Sequence, residues 1–200
     1  MSHELIIALV VFATAALFTP GPNNIMLMTS GLNFGFQRTL PHLLGVCIGF
    51  LLLFAVIGFG LGAVFAAYPV LQTVLKYAGA AYLIFLAVRI ARSRPATRKD
   101  TETSRPMTFT GAVLFQWVNI KAWITSIGTV TTYAAVAPYP YNIGLQSLVM
   151  LVVEIFSTLG WVLLGTSLQA VIRDERAVRV FNIGMAMLLI ASLYPVFRQP

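Results

Sequence analysis

Lys121 and Glu154 each stand inside a long apolar run, and a third run is interrupted by Thr19-Pro20-Gly21-Pro22-Asn23-Asn24. Proline removes backbone donors and glycine relaxes the chain, so carbonyls around Thr19 lose their helical partners. A helix that resumes at Asn23 turns its positive end toward the gap. That end suits a carboxylate, while freed carbonyls and the oxygens of Asn23 and Asn24 suit an ammonium group, so the segment fits a small zwitterion. Lys121 offers a further partner for a carboxylate, and Glu154 one for an ammonium group or an exchangeable proton. Two plainer uses compete: a proline kink that only helps helices pack, and a Lys121–Glu154 ion pair that only joins two helices. His42, beside Pro41, reads either as a titrating relay or as a hydrogen-bonded side chain at the membrane interface.

The chemistry of soluble catalysis is not encoded. There is no His-Glu-x-x-His, no Cys-His arrangement and a single cysteine, Cys47. Neither a metal site nor a nucleophile with its base is therefore expected, and no catalytic residue or cofactor is assigned. The chain is read as not an enzyme.

What must position these groups is a membrane-embedded helix bundle. The chain has 200 residues, 58% hydrophobic and only 10% charged, with a mean hydropathy of +0.86. Soluble domains carry roughly 25% charged residues. The net charge of +7 could suit nucleic acid, but the basic residues sit in short gaps between apolar runs and not on one folded face, so no nucleic-acid partner is expected. The runs are continuous, which favours helices over barrel strands. The expected fold class is an all-α integral membrane protein with six transmembrane helices. These cover residues 4–29, 41–66, 69–90, 109–134, 143–169 and 178–197, the first broken at Pro20-Gly21-Pro22. Lys121 then lies roughly 18 Å along the fourth helix, near mid-membrane, with Glu154 at similar depth in the fifth. A charge at that depth costs a few kcal/mol, on the order of 3, so each should face the interior.

Arg38, then Arg92, Arg94, Arg98, Lys99 and Arg105, then Arg173 and Arg176 place the odd loops in the cytoplasm. Both termini fall outside. Ala13-Thr14-Ala15 resembles a signal-peptidase site, but no basic segment precedes it and the apolar run continues, so the first span is read as retained. Three units follow: residues 1–91, a basic cytoplasmic loop over 92–108, and residues 109–200.

The halves are weakly self-similar. Phe12, Ala15, Leu17 and Phe18 align with Phe109, Ala112, Leu114 and Phe115; Asn23, Thr29 and Ser30 align with Asn119, Thr125 and Ser126. Gly79, Ala81 and Leu83 match Gly184, Ala186 and Leu188. Three spans per half make the second an inverted copy of the first, an architecture of secondary transporters with a site at the repeat interface. The residues alone thus reach a secondary transporter of a small polar solute working by alternating access. A passive channel for small polar solutes, or a non-transporting membrane scaffold, is the alternative. Gly45-x-x-x-Gly49 and Gly58, Gly60 and Gly62 are read as packing surfaces; such faces permit a homodimer. Trp117, Trp123 and Trp161 are read as lipid or interface contacts, with cavity lining as the competing use.

Thr19-Pro20-Gly21-Pro22-Asn23 with Gly31, Gly35, Gly45 and Gly49 resembles the opening signature of the LysE/RhtB-type exporters. Phe115-Gln116-Trp117-Val118-Asn119-Ile120-Lys121-Ala122-Trp123 is similar to that family's Asn-Pro-Lys-Ala motif. The resemblance extends over essentially the whole chain. It implies a proton-motive-force-driven exporter of amino acids or related metabolites in the bacterial inner membrane, with lipids and a small-molecule substrate as partners. The reading of the residues themselves places Thr19, Pro20, Gly21, Pro22, Asn23, Asn24, Gln116, Asn119 and Lys121 at the substrate, and Glu154 and His42 in coupling. Two departures stand out. Ile120 replaces the usual Pro, which weakens the encoding of a break in the fourth helix, and Thr39 replaces a frequent Gly, which puts close backbone approach there in question.

Overall fold

The structure, a computed structural model, describes residues 3–61, 67–93, 105–172 and 174–194, and every regular element among them is helical. These are α1 (His3–Phe18), α2 (Pro22–Val56), α3 (Pro69–Ala91), α4 (Phe109–Gln116), α5 (Ile120–Thr132), α6 (Tyr141–Val171) and α7 (Glu175–Ala191). A π-turn over Ile57–Leu61 follows α2, and a 3-10 turn over Ala134–Val136 precedes α6. Most of the central basic loop, with Arg94, Arg98 and Lys99, lies outside the described residues, as do Gly62 and Arg173.

The first expected helix is broken where its prolines stand. α1 stops at Phe18, and Pro22 opens α2, in the first turn where a missing N–H costs nothing. The expected loop between the first two spans narrows to a sharp bend: within α2 two helical stretches meet at one residue out of helical geometry, Gly35, at φ 78° and ψ 173°. The Ser30 and Thr39 hydroxyls lie 2.9 Å apart. Nine residues of straight helix would separate them by about 13.5 Å, so the chain bends sharply at Gly35, in a conformation that favours glycine. Thr39 also donates to the Gly35 carbonyl at 2.8 Å and so fastens the bend itself.

The fourth expected helix is broken as well, without the proline. The N–H groups of Trp117, Val118 and Asn119 reach back three residues to Leu114, Phe115 and Gln116, at 3.2, 3.1 and 3.3 Å. The indole of Trp123 donates to the Trp117 carbonyl at 3.0 Å, satisfying a group the break sets free. Val118 presents its carbonyl to α3 so closely that a Cβ at Gly79 would stand 2.3 Å from it. The tryptophans thus brace a break that Ile120 alone does not encode.

Three stretches are long and apolar enough, by length and composition, to cross a membrane: Pro22–Leu61, which bends at Gly35, Thr73–Ala91 and Tyr141–Gln169. Large apolar side chains such as Ile7, Val70, Leu114, Phe156 and Val180 are exposed around the bundle, a surface suited to lipid. Inside, Leu17, Phe50, Phe54, Ala122, Trp123 and Met150 join α1, α2, α5 and α6. Ile25, Leu83, Phe115 and Leu189 join α2, α3, α4 and α7.

Two features hold the packing in register, one polar and one steric. Asn33 and Asn182 exchange amide bonds at 2.9 and 3.0 Å, and Asn182 also donates to the Ser93 carbonyl at 3.0 Å, tying α2, α7 and the end of α3. Along α2 and α6 the backbones nearly touch: a Cβ at Gly165 would lie 2.0 Å from the Met28 carbonyl oxygen, and one at Gly31 2.5 Å from that of Val162. Small residues permit such approach between membrane helices. Gly165→Ala should therefore cost about 1–3 kcal/mol through forced separation of the two helices, whereas Gly184→Ala, with nothing within 4 Å of the added carbon, should melt with the parent. Thermal unfolding of the purified protein in detergent compares the two; equal melting temperatures would refute the close approach.

Candidate functional site

The two helix breaks face each other, and the site grows from the backbone groups they release. At the first break, the Leu17 carbonyl accepts from the amide of Asn24 and from the hydroxyl of Ser157, each at 2.8 Å. The Thr19 carbonyl accepts from Asn24 at 3.0 Å and from the ammonium of Lys121 at 2.6 Å. The hydroxyl of Thr19 is turned away and donates to the Ala15 carbonyl. Gly21 lies under the lysine: a Cβ there would stand 2.7 Å from Lys121 Cδ and 3.0 Å from its Nζ. Any larger residue would displace the ammonium group.

Between the breaks, Asn23 and Gln116 exchange amide bonds at 2.9 and 3.2 Å, and Gln116 also donates to the Ala112 carbonyl at 3.0 Å. Asn119 is buried and its Oδ1 has no hydrogen-bond partner among the described residues. The helices α2 and α5 begin at this point, at Pro22 and Ile120, and neither has a side-chain cap. Two positive helix ends and one ammonium group therefore converge, a setting that favours an anion.

A small cavity lies among these groups, walled by Gly21, Asn23, Asn24, Asn119, Lys121 and Glu154. Leu17, Phe50, Ala122 and Thr125 complete it with mostly apolar surface. Glu154 arrives from α6, which runs antiparallel to α5. Gln146 donates to the Tyr133 carbonyl at 2.8 Å, and Thr129 meets Met150 Sδ at 4.0 Å. The next turn inward in that register sets Thr125 opposite Glu154. The anticipated ion pair is not formed: Lys121 bonds the Thr19 carbonyl, and no salt bridge joins it to Glu154 among the described residues. Lys121 and Glu154 thus wall one cavity without a direct bond between them, an arrangement that is costly inside a membrane unless further partners meet the two groups.

Of the residues singled out in the sequence, Gly21, Asn23, Asn24, Asn119, Lys121 and Glu154 meet at the cavity. Thr19 takes part through its carbonyl, Pro20 and Pro22 through the break they impose, and Gln116 by holding Asn23. His42 does not line the cavity. It is buried in α2 with both ring nitrogens unpartnered among the described residues, so the hydrogen-bonded interfacial reading is corrected. Trp117 and Trp123 serve the break and not the cavity. Sequence reasoning missed Ser157 and the contribution of Phe50; the signal for Ser157 was a polar residue one turn from Glu154 in an otherwise apolar run. Among the described residues no cluster of three His, Cys, Asp or Glu could hold a metal ion.

Curated relatives include the cysteine/O-acetylserine efflux proteins of Escherichia coli strain K12 and of Shigella sonnei strain Ss046. Each is 30% identical over 202 residues, covering 98% of this chain and 100% of the relative. No solved structure matches the chain. The model of the LysE type translocator family matches residues 14–192, a range that contains both breaks, Lys121 and Glu154. The chain belongs to the LysE type translocator family.

Proposed function

We propose that the protein exports a small neutral amino acid, or an O-acetylated relative of one, across the bacterial inner membrane. The observation that carries this reading is the cavity between the two breaks, with Lys121 and Glu154 in its wall and no bond between them. A zwitterion completes both: its carboxylate meets Lys121 and the ends of α2 and α5, and its ammonium group meets Glu154 and the free Oδ1 of Asn119. Leu17, Phe50 and Ala122 face the substrate's side chain and offer it little polar surface. The names of the 30% identical relatives point to cysteine and O-acetylserine as the solutes to try first.

Glu154 is the group that exchanges a proton for the substrate's ammonium, so that export draws on the proton gradient. Six crossings in two inverted halves, with both termini outside, supply the alternating access. The matching breaks at 19–21 and 117–119 support that symmetry, because each half then contributes one interrupted helix to the shared site. A homodimer is compatible with the reading and not required by it.

Three outcomes are expected. Overproduction in cells loaded with a cysteine- or serine-containing dipeptide should lower the internal amino-acid pool and raise the external one, and an uncoupler should abolish accumulation outside; unchanged pools would refute the substrate class. Glu154→Gln should retain exchange in counterflow while uphill export falls at least about tenfold, as for removal of a positioned proton-transfer group; intact uphill export would leave a passive or otherwise coupled route. Alkaline phosphatase fused after Tyr68 or Ala137 should be active, and fused after Arg92 inactive; the reverse pattern would invert the topology.

A further inference from the structure

Three buried side-chain atoms on α5, on α6 and at the second break have no hydrogen-bond partner among the described residues: Asn119 Oδ1, Ser126 Oγ and Gln146 Oε1. Their positions are ordered. Asn119 walls the cavity. Ser126 follows it by seven residues, two turns farther along nearly the same face of α5. Gln146 stands on α6 where α5 ends, its amide on the Tyr133 carbonyl, and the Tyr133 hydroxyl donates in turn to the Ala8 carbonyl near the start of α1. The unpartnered atoms thus mark a line from the cavity to the end of the bundle where α1 begins.

Buried polar atoms in native proteins are nearly always paired, and surrounding hydrocarbon supplies no partner. In the opposite direction the closure is well satisfied: the Asn23–Gln116 and Asn33–Asn182 amide pairs each bond reciprocally. His42, the remaining side chain with unpartnered atoms, belongs to α2 and not to the α5–α6 seam.

We propose that the seam between α5 and α6 is the way out of the cavity for a small zwitterionic solute and its water, shut in this conformation. Asn119, Ser126 and Gln146 are its polar contacts once it parts. Neutral amide and hydroxyl groups suit such a passage, because they replace water around a moving zwitterion without holding it as a fixed charge would. The reading rests on the proposed site between Lys121 and Glu154 as the place where the solute starts.

The single native cysteine, Cys47, is buried, so Cys47→Ala provides a cysteine-free parent, to be used once its export is shown to be intact. In that parent, Ser126→Cys and Gln146→Cys are treated from outside intact cells with a membrane-impermeant cationic methanethiosulfonate. Ile124→Cys, on the lipid-facing side at 49% exposure, is the control. Thiols that meet water ionise and react, so both seam variants should react at least about tenfold faster than the control, and excess O-acetylserine should slow them. Fast reaction that O-acetylserine does not slow supports the route and counts against O-acetylserine as the solute. Reaction no faster than at Ile124→Cys, or reaction only from the cytoplasmic side in inverted vesicles, overturns the route while leaving the cavity reading standing. If Ser126→Cys does not reach the membrane, Thr129→Cys, one turn farther along α5, takes its place with the same readings.

Discussion

Hydrocarbon offers no hydrogen bond, and the architecture follows from how this chain answers that fact at its two interrupted helices. A break in water costs little, because solvent takes over the released carbonyls. In a membrane each must be met by the protein itself. Here the Leu17 carbonyl is met by Asn24 and Ser157, that of Thr19 by Asn24 and Lys121, and that of Trp117 by Trp123. These partners come from α1's own continuation, from α5 and from α6. The breaks therefore fix the mutual positions of three helices, and polar side chains gather at mid-bundle because the backbone there demands them.

That demand also decides where the charges go. Lys121 is held against a carbonyl, with Gly21 giving it room, and so its ammonium group is kept short of Glu154. A direct ion pair would have closed the cavity with two spent charges. Fastening the lysine to backbone leaves its remaining donors, and the carboxylate opposite, facing common space. Three uncapped positive features, the starts of α2 and α5 and the lysine, then balance one carboxylate, and the asymmetry favours a ligand that brings its own negative group.

Much of this was legible in the amino-acid order, for reasons that differ by residue. The first break was plain because two prolines remove two donors locally. Lys121 and Glu154 stood out because charges in apolar runs are rare. The second break was not plain: it depends on Trp123 reaching back to Trp117 and on the missing side chain at Gly79, contacts made across space. The bend at Gly35 was hidden for a related reason, since a single glycine does what a loop was expected to do. The Asn33–Asn182 pair, 149 residues apart, carries no local signal at all. The burial of His42 without a hydrogen-bond partner among the described residues was not legible, because it depends on neighbours in space and not in sequence.

The bond between Lys121 and the Thr19 carbonyl spans 102 residues, and this separation sets an order of assembly. The first helix enters the bilayer with its break already tended by Asn24, five to seven residues away. It can wait in lipid while the next two hydrophobic stretches are synthesised. The lysine-bearing helix has no such local remedy. Its cation leaves the ribosome only after the Thr19 carbonyl has been made, so the partner for that charge precedes it in the order of synthesis. A chain whose halves were exchanged in order of synthesis would present that charge to the bilayer with no partner waiting.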